Sequence, residues 1–319
     1  MLDFSSVWMP RKTFEFGSGF LKSYIVETEF QKILDTNVKC AGFDVNNMTE
    51  HFWMREHACY RVHAKSIRKA YRDYLPGRFY TYSLLCDVIR GLNLPYGATC
   101  VELGCGSALA ASLLARAGYR STGLDIAVSA LQFGVELAEE LTTTPIAFIC
   151  RDLFSSIGDL KGSADVVFSL GVVEHYPYEE QVQILRQMVS ISRRYVVTVV
   201  PNTQSPIFRE MEIAEFERVP HSLVYPDESH WFEVDFPRIV SEVNGINRRY
   251  GSFHLPPPKT MRTEALSVRE MSFFSAIRDE ALEYSGGDIF DWWLAKERSL
   301  LPEEVADFGW FKYVIFEIP

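Results

Sequence analysis

Residues 100–125 read Cys-Val-Glu-Leu-Gly-Cys-Gly-Ser-Ala-Leu-Ala-Ala-Ser-Leu-Leu-Ala-Arg-Ala-Gly-Tyr-Arg-Ser-Thr-Gly-Leu-Asp. An apolar strand ends at Glu102, and a turn of small residues carries Gly104 and Gly106. A helix then runs through Leu114 and stops at Gly118, and a second strand ends on Asp125. A strand, a glycine turn, a helix and a strand closed by a carboxylate about twenty residues on is a geometry for holding a nucleoside. Glycine lets backbone N–H groups approach a ligand without Cβ interference. The carboxylate can accept both ribose hydroxyls.

A dinucleotide fingerprint needs glycines spaced G-x-G-x-x-G, and its third position here is Leu109. The turn Glu102-Leu-Gly-Cys-Gly-Ser-Ala108 instead resembles the first motif of the class I S-adenosylmethionine-dependent methyltransferases, acid-x-Gly-x-Gly-x-Gly, with Ala108 at the third glycine. The resemblance implies an α/β fold: a Rossmann-like, seven-stranded, mostly parallel sheet with a C-terminal antiparallel hairpin and helices on both faces. It implies S-adenosylmethionine as cofactor, S-adenosylhomocysteine as product, and no metal. The cofactor contacts carried over from it are Glu102, Gly104, Cys105, Gly106 and Asp125, with Ile126 against the adenine face.

Two later motifs follow in the family's order. Ser129 to Leu141 reads as a helix and Ile146 to Cys150 as a third strand, followed by Arg151-Asp152-Leu153. The resemblance assigns Asp152 to the adenine amino group and Leu153 to closing the pocket, while turn capping is the alternative for Asp152. Asp165-Val-Val-Phe-Ser-Leu-Gly-Val-Val-Glu-His is the fourth strand and its exit. Carbonyls near Leu170 and Gly171 would face the methionine ammonium and the sulfonium, which is held by dipoles and aromatic faces. Glu174 and His175 either brace this loop and cap the helix Tyr178 to Ser192, or act in catalysis. Tyr195-Val-Val-Thr-Val-Val-Pro-Asn is a fifth strand, apolar throughout and therefore buried on both faces.

Outside residues 96 to 202 the motifs fade. Residues 1–95 are expected to form an N-terminal helical cap or lid, with a helix from His51 to Tyr74 ended by Pro76-Gly77 and another from Thr81 to Leu92. Arg78 is a candidate for the methionine carboxylate. The cofactor-binding domain spans 96–319, with insertions near 203–230 and 256–306. Trp231 to Tyr250 is expected to be a helix, Gly251 to Leu255 the sixth strand, and Phe311 to Ile318 the strand that closes the sheet as a hairpin partner.

Composition narrows the function further. The chain has 319 residues, 47% of them hydrophobic, enough for a large core. Its six cysteines lack paired metal-ligand spacing, which suits reduced thiols in the cytoplasm. The N-terminus lacks the pattern of a signal peptide, and no run reaches membrane-spanning length. A formal charge of −10 argues against a general nucleic-acid binder.

Aromatic residues make up 14% of the chain and favour a partly apolar or aromatic small-molecule acceptor. His230, just before Trp231-Phe232, is the first candidate for taking a proton from that acceptor, with His221 and Tyr225 in the same stretch. The function expected is methyl transfer to a small organic molecule, at oxygen before nitrogen or carbon, plausibly in secondary metabolism. The alternatives are a methyltransferase of RNA or protein, or a non-methylating cofactor-binding protein such as a partner subunit or a cyclase. Homo-oligomerisation is left open.

Overall fold

The computed structural model describes residues 31–37, 39, 48–63, 76–205, 232–255, 275, 277, 280, 289–300, 305 and 308–318. Seven strands form one sheet: β1 Thr99–Leu103, β2 Arg120–Asp125, β3 Ala147–Cys150, β4 Ala164–Leu170, β5 Ser192–Pro201, β6 Ile246–Phe253 and β7 Phe311–Glu317. Their spatial order is β3-β2-β1-β4-β5-β7-β6. β1 to β5 pair in parallel, and β7 lies antiparallel between β5 and β6. This is the mostly parallel sheet with an antiparallel C-terminal hairpin that the motifs imply.

The helices described are α1 Met48–His63, α2 Pro76–Arg90, α3 Leu109–Arg116, α4 Val128–Leu141, α5 Tyr178–Ile191, α6 Phe236–Glu242 and α7 Ile289–Ser299. Side-chain alternation along the central strands divides the core between the two faces. Cys100, Val166, Phe168, Leu170, Val197 and Val199 pack with residues of α2, α3 and α4 and with Trp293 of α7. Val101, Leu103, Val167, Val196 and Val200 pack with Ile184, Leu185 and Met188 of α5 and with Ile239 and Val240 of α6. A strand covered on both sides must be apolar at every position, which is why β4 and β5 read as unbroken runs.

Most elements follow the expected bounds to within a few residues, but two differ for clear reasons. Pro76 begins α2, where the sequence reading has Pro76-Gly77 ending a helix. The first turn of a helix needs no N–H partner, so proline is tolerated there as readily as it ends a preceding segment. The single helix expected over Trp231 to Tyr250 is also replaced. Only the seven residues of α6 are helical, capped by Asp235, whose side chain accepts from the Arg238 N–H at 3.1 Å. Asn244 adopts φ 56° and the Gly245 N–H returns to the Val240 carbonyl, which ends the helix. β6 therefore begins at Ile246, five residues before the start of the expected strand. It is an edge strand whose first five residues are exposed, so it lacks the apolar alternation that marks a strand.

α7, from the 256–306 insertion, is fastened to the sheet and to α2 by buried polar groups. The Glu297 carboxylate accepts from the backbone N–H of His254 at 2.6 Å and of Leu255 at 2.8 Å, and from the Tyr80 hydroxyl. Trp293 Nε1–H donates to the Leu255 carbonyl at 2.8 Å, and Arg298 pairs with Asp87 of α2 at 2.6 Å. Removing the Glu297 carboxylate would leave three buried donors without their acceptor. Glu297→Ala is therefore expected to cost about 2–4 kcal/mol of stability, read by urea or thermal unfolding, with Glu297→Gln costing less. An unaltered unfolding curve for the alanine variant would remove this group from the account of how α7 is held.

Candidate functional site

The chain runs outward from β1 to β3 and then crosses to β4 on the other side of β1. The carboxyl ends of β1 and β4 are thus a topological switch point, the place where open α/β sheets hold ligands. The turn after β1 and the loop after β4 meet there. Gly104 and Gly106 have φ of 62° and 52°, in the left-handed region that glycine reaches freely. A Cβ on Gly104 would lie 2.5 Å from Val172 Cγ2, so the two loops touch across the switch point. Ala108, at the motif's third glycine, is also left-handed, at φ 51°. Its methyl is tolerated there at a backbone cost of about 1–2 kcal/mol.

Asp125 shapes the turn. Its Oδ2 accepts the Gly106 N–H at 2.8 Å and its Oδ1 the Ala127 N–H at 2.8 Å. Glu102, only 2% exposed, accepts the Ala111 N–H in the first turn of α3 at 3.0 Å. A third acid comes from α1: Glu50 accepts the Val128 and Ser129 N–H groups, each at 2.8 Å, and the Ser129 hydroxyl. It serves as the N-cap that α4 lacks, since Ala127 offers no side-chain cap.

Burial pushes the Glu102 carboxyl up to about 8, against the Ala111 N–H, with Asp125 adding to the rise. Asp125 is also raised, by burial first and by the Glu50 charge, against the pull of the Ala127 and Gly106 N–H groups. Among the described residues none of these three acids is paired with a cationic side chain. Buried carboxylates without a counter-charge suit a positively charged ligand. The Asp125 carboxylate has about four lone-pair directions, more than the N–H groups of Gly106, Ile126 and Ala127 take up, so it can still receive a hydroxyl. The donor set thus fits a cationic nucleoside.

The other expected contacts are distributed as follows. Ile126 follows Asp125 and is 50% exposed, an apolar face open to a flat ring. Cys105 is buried inside the turn, with its thiol raised by burial. Asp152 caps its own turn by accepting the Phe154 N–H at 2.8 Å, and Leu153 packs against the α5–α6 side of the core. Leu170 is buried at the end of β4, and the Gly171 N–H is held by the Val199 carbonyl at 3.0 Å. At that exit burial raises Glu174 to about 7 and lowers His175 to about 4. The Glu174 carbonyl accepts the Phe232 N–H at 2.8 Å, tying the return chain to the β4 loop. Arg78 falls in α2, its side chain outside the described residues; His221, Tyr225 and His230 also lie outside them.

Two residues at the site carry no motif. Trp53 of α1 lies directly on Gly106, where a Cβ would collide with the indole. Farther along, Glu136 of α4 is gripped by His57 Nε2 at 2.8 Å and by Arg61. Burial would raise Glu136, but the His57 and Arg61 hydrogen bonds outweigh it and hold the carboxyl down at about 2. Only the position of Trp53, Glu50 and His57 on one helical face could have hinted at this packing, and that spacing is common to any buried helix.

Residues 100–194 match a family model described as a methyltransferase domain. No curated protein matches the chain. Among solved structures, magnesium protoporphyrin IX methyltransferase from Synechocystis PCC 6803 is similar in two forms. With S-adenosylmethionine bound it is 26% identical over 40% of this chain and 61% of that one, with a TM-score of 0.35. With S-adenosylhomocysteine bound it is 20% identical over 62% and 87%, with a TM-score of 0.44. The chain thus spans less than two thirds of the first of these. An S-adenosylmethionine-dependent methyltransferase from Archaeoglobus fulgidus is 16% identical over 74% of this chain and 94% of that one, with a TM-score of 0.44.

A carboxyl at about 8 in the folded protein and near 4.5 when unfolded binds its proton more tightly when folded. The stability it contributes is full below pH 4.5 and is lost as the pH rises through 8. Glu102→Gln keeps an acceptor for the Ala111 N–H and removes the titration. Relative to the parent, this variant should gain at least about 1 kcal/mol of unfolding free energy between pH 5 and pH 8.5. Parallel pH–stability curves for the two proteins would refute that origin of the pH dependence.

Proposed function

We propose that this chain, whose residues 100–194 match a methyltransferase domain, is a class I S-adenosylmethionine-dependent methyltransferase that methylates a small organic acceptor, at oxygen in preference to nitrogen or carbon. When bound, S-adenosylmethionine supplies an electrophilic methyl group on a positively charged sulfur. The chain's own residues bind, orient and shield. Asp125 would take the ribose hydroxyls with its free lone pairs, Ile126 would cover the adenine, and Asp152 would meet the adenine edge with the oxygen not used in its turn. The carbonyls near Leu170 and Gly171 would favour the positive end of the ligand.

The acceptor half of the proposal is carried by one cavity. A pocket of about 400 Å³ opens beyond the carboxyl end of β5, lined by the aromatic Phe236, Tyr250 and Tyr313 and by the polar Glu233, Asp235 and Lys312 among others. Its volume suits a small molecule, and its aromatic walls with a few polar groups suit a partly apolar one. Lys312 donates to the Val234 carbonyl at 3.0 Å and presents a half-buried ammonium at this pocket. A polyanion is disfavoured by the chain's charge of −10. His230, His221 and Tyr225, in the stretch leading to this pocket wall at Glu233, are the proposed candidates for receiving the acceptor's proton if one must leave. Arg78 is the proposed partner of the methionine carboxylate.

No helix among the described residues is long and apolar enough to cross a membrane, and no group of three His, Cys, Asp or Glu side chains among them could hold a metal ion. Operation in the cytoplasm is part of the proposal.

Isothermal titration with S-adenosylmethionine, S-adenosylhomocysteine and NAD tests the cofactor, and micromolar binding of the first two alone is expected. Asp125→Ala should weaken that binding by about 1–3 kcal/mol, the cost of leaving ribose hydroxyls unpaired. Radiolabelled methyl transfer in extracts should place label in the small-molecule fraction. Label confined to RNA or protein would overturn the acceptor class, and binding of NAD alone would overturn the cofactor.

A further inference from the structure

One face of α1 runs over the whole cofactor turn. Glu50 sits on the first two N–H groups of α4, immediately after Asp125 and Ile126. Trp53, 3% exposed, lies against Gly106. His57 stacks on Phe133, with ring centroids 5.0 Å apart and planes 19° apart, while its Nε2 meets Glu136. Arg61 meets the same carboxylate, its Nε at 3.1 Å. Spacings of three and four residues place all four side chains on one side of the helix.

Under that face the groups a nucleoside would use are shut from solvent. Glu102, Cys105, Gly106, Ser107 and Asp125 are all buried. Glu102 and Asp125 each accept backbone N–H groups there. The indole covers the Gly106 Cα, filling the space that a Cβ there would enter.

We infer that α1 is a gate closed on the cofactor turn, that Trp53 must leave Gly106 before the cofactor can seat, and that the grip of His57 and Arg61 on Glu136 sets how often it does so. This rests on the cofactor reading proposed above. Glu50 is buried, and its carboxylate accepts the Val128 and Ser129 N–H groups and the Ser129 hydroxyl of α4, so it is the anchored end. At the other end His57 is buried, but Arg61 and Glu136 are both partly exposed, so this solvent-facing ion pair is where release begins. A protein that binds only from its open state has its apparent affinity reduced by the fraction of time it spends open. Weakening the grip therefore raises both the rate of association and the affinity, the reverse of what loss of a ligand contact does.

The test is stopped-flow tryptophan fluorescence with S-adenosylhomocysteine, alongside equilibrium titration, on the full chain. Glu136→Gln should associate about three- to tenfold faster than the parent and bind more tightly. Glu139→Gln, which removes the same charge from an exposed position on the same helix, should behave as the parent. In Trp53→Phe most of the ligand-induced emission change should vanish, and association should again be faster. A Glu136→Gln protein that associates at the parental rate or more slowly overturns the gate, because the closed helix would then be the binding form. If neither the parent nor any variant binds the probe, it is the cofactor reading that fails, and the gate with it.

Discussion

The N–H of Gly106 donates to Asp125 at 2.8 Å, and through that bond the end of β2 sets the shape of the turn that follows β1. The turn in turn aims α3, whose first turn is tied back to β1 by Glu102. α4 begins three residues after Asp125 and is capped from outside by Glu50. Four elements thus depend on carboxylates within one small buried region. Burying three acids without a counter-cation is costly, and Glu102 and Asp125 answer with raised pKa values.

The two glycines do different work. Gly104 lets the β1 turn meet the β4 loop, its missing Cβ leaving room for Val172. Gly106 lets an aromatic residue from a distant helix meet the same turn. A larger side chain at Gly106 would displace Trp53 before it reached any ligand. The turn is therefore enclosed by the sheet on one side and α1 on the other. α2 belongs to the same enclosure, since Tyr80, Tyr82, Leu85 and Ile89 lie in the main core with Trp53. The aromatic Tyr80 and Trp293 are core residues and do not line the pocket.

Legibility followed sequence distance. The turn, its acid and the strand exits were readable because glycine, an apolar run and a carboxylate recur at short spacings dictated by one strand–helix–strand unit. The β5 run was readable because burial on both faces leaves no polar position. The return through α6 to β6 was misread because an edge strand with exposed Asn247, Arg248 and Arg249 has no pattern of its own. Asp152 shows the middle case: its position was readable, and its turn cap to Phe154 is a contact that any aspartate after a strand can make.

By itself the sequence determined the parallel sheet, the switch point and the glycine turn with its acid, because each is encoded in residues close enough to constrain one another's backbone. Only the tertiary structure decided what faces that turn. Trp53 covers it and Glu50 caps α4 beside it from a helix about fifty to eighty positions earlier in the chain, and this meeting is a matter of packing between α1 and α4, which no local spacing records.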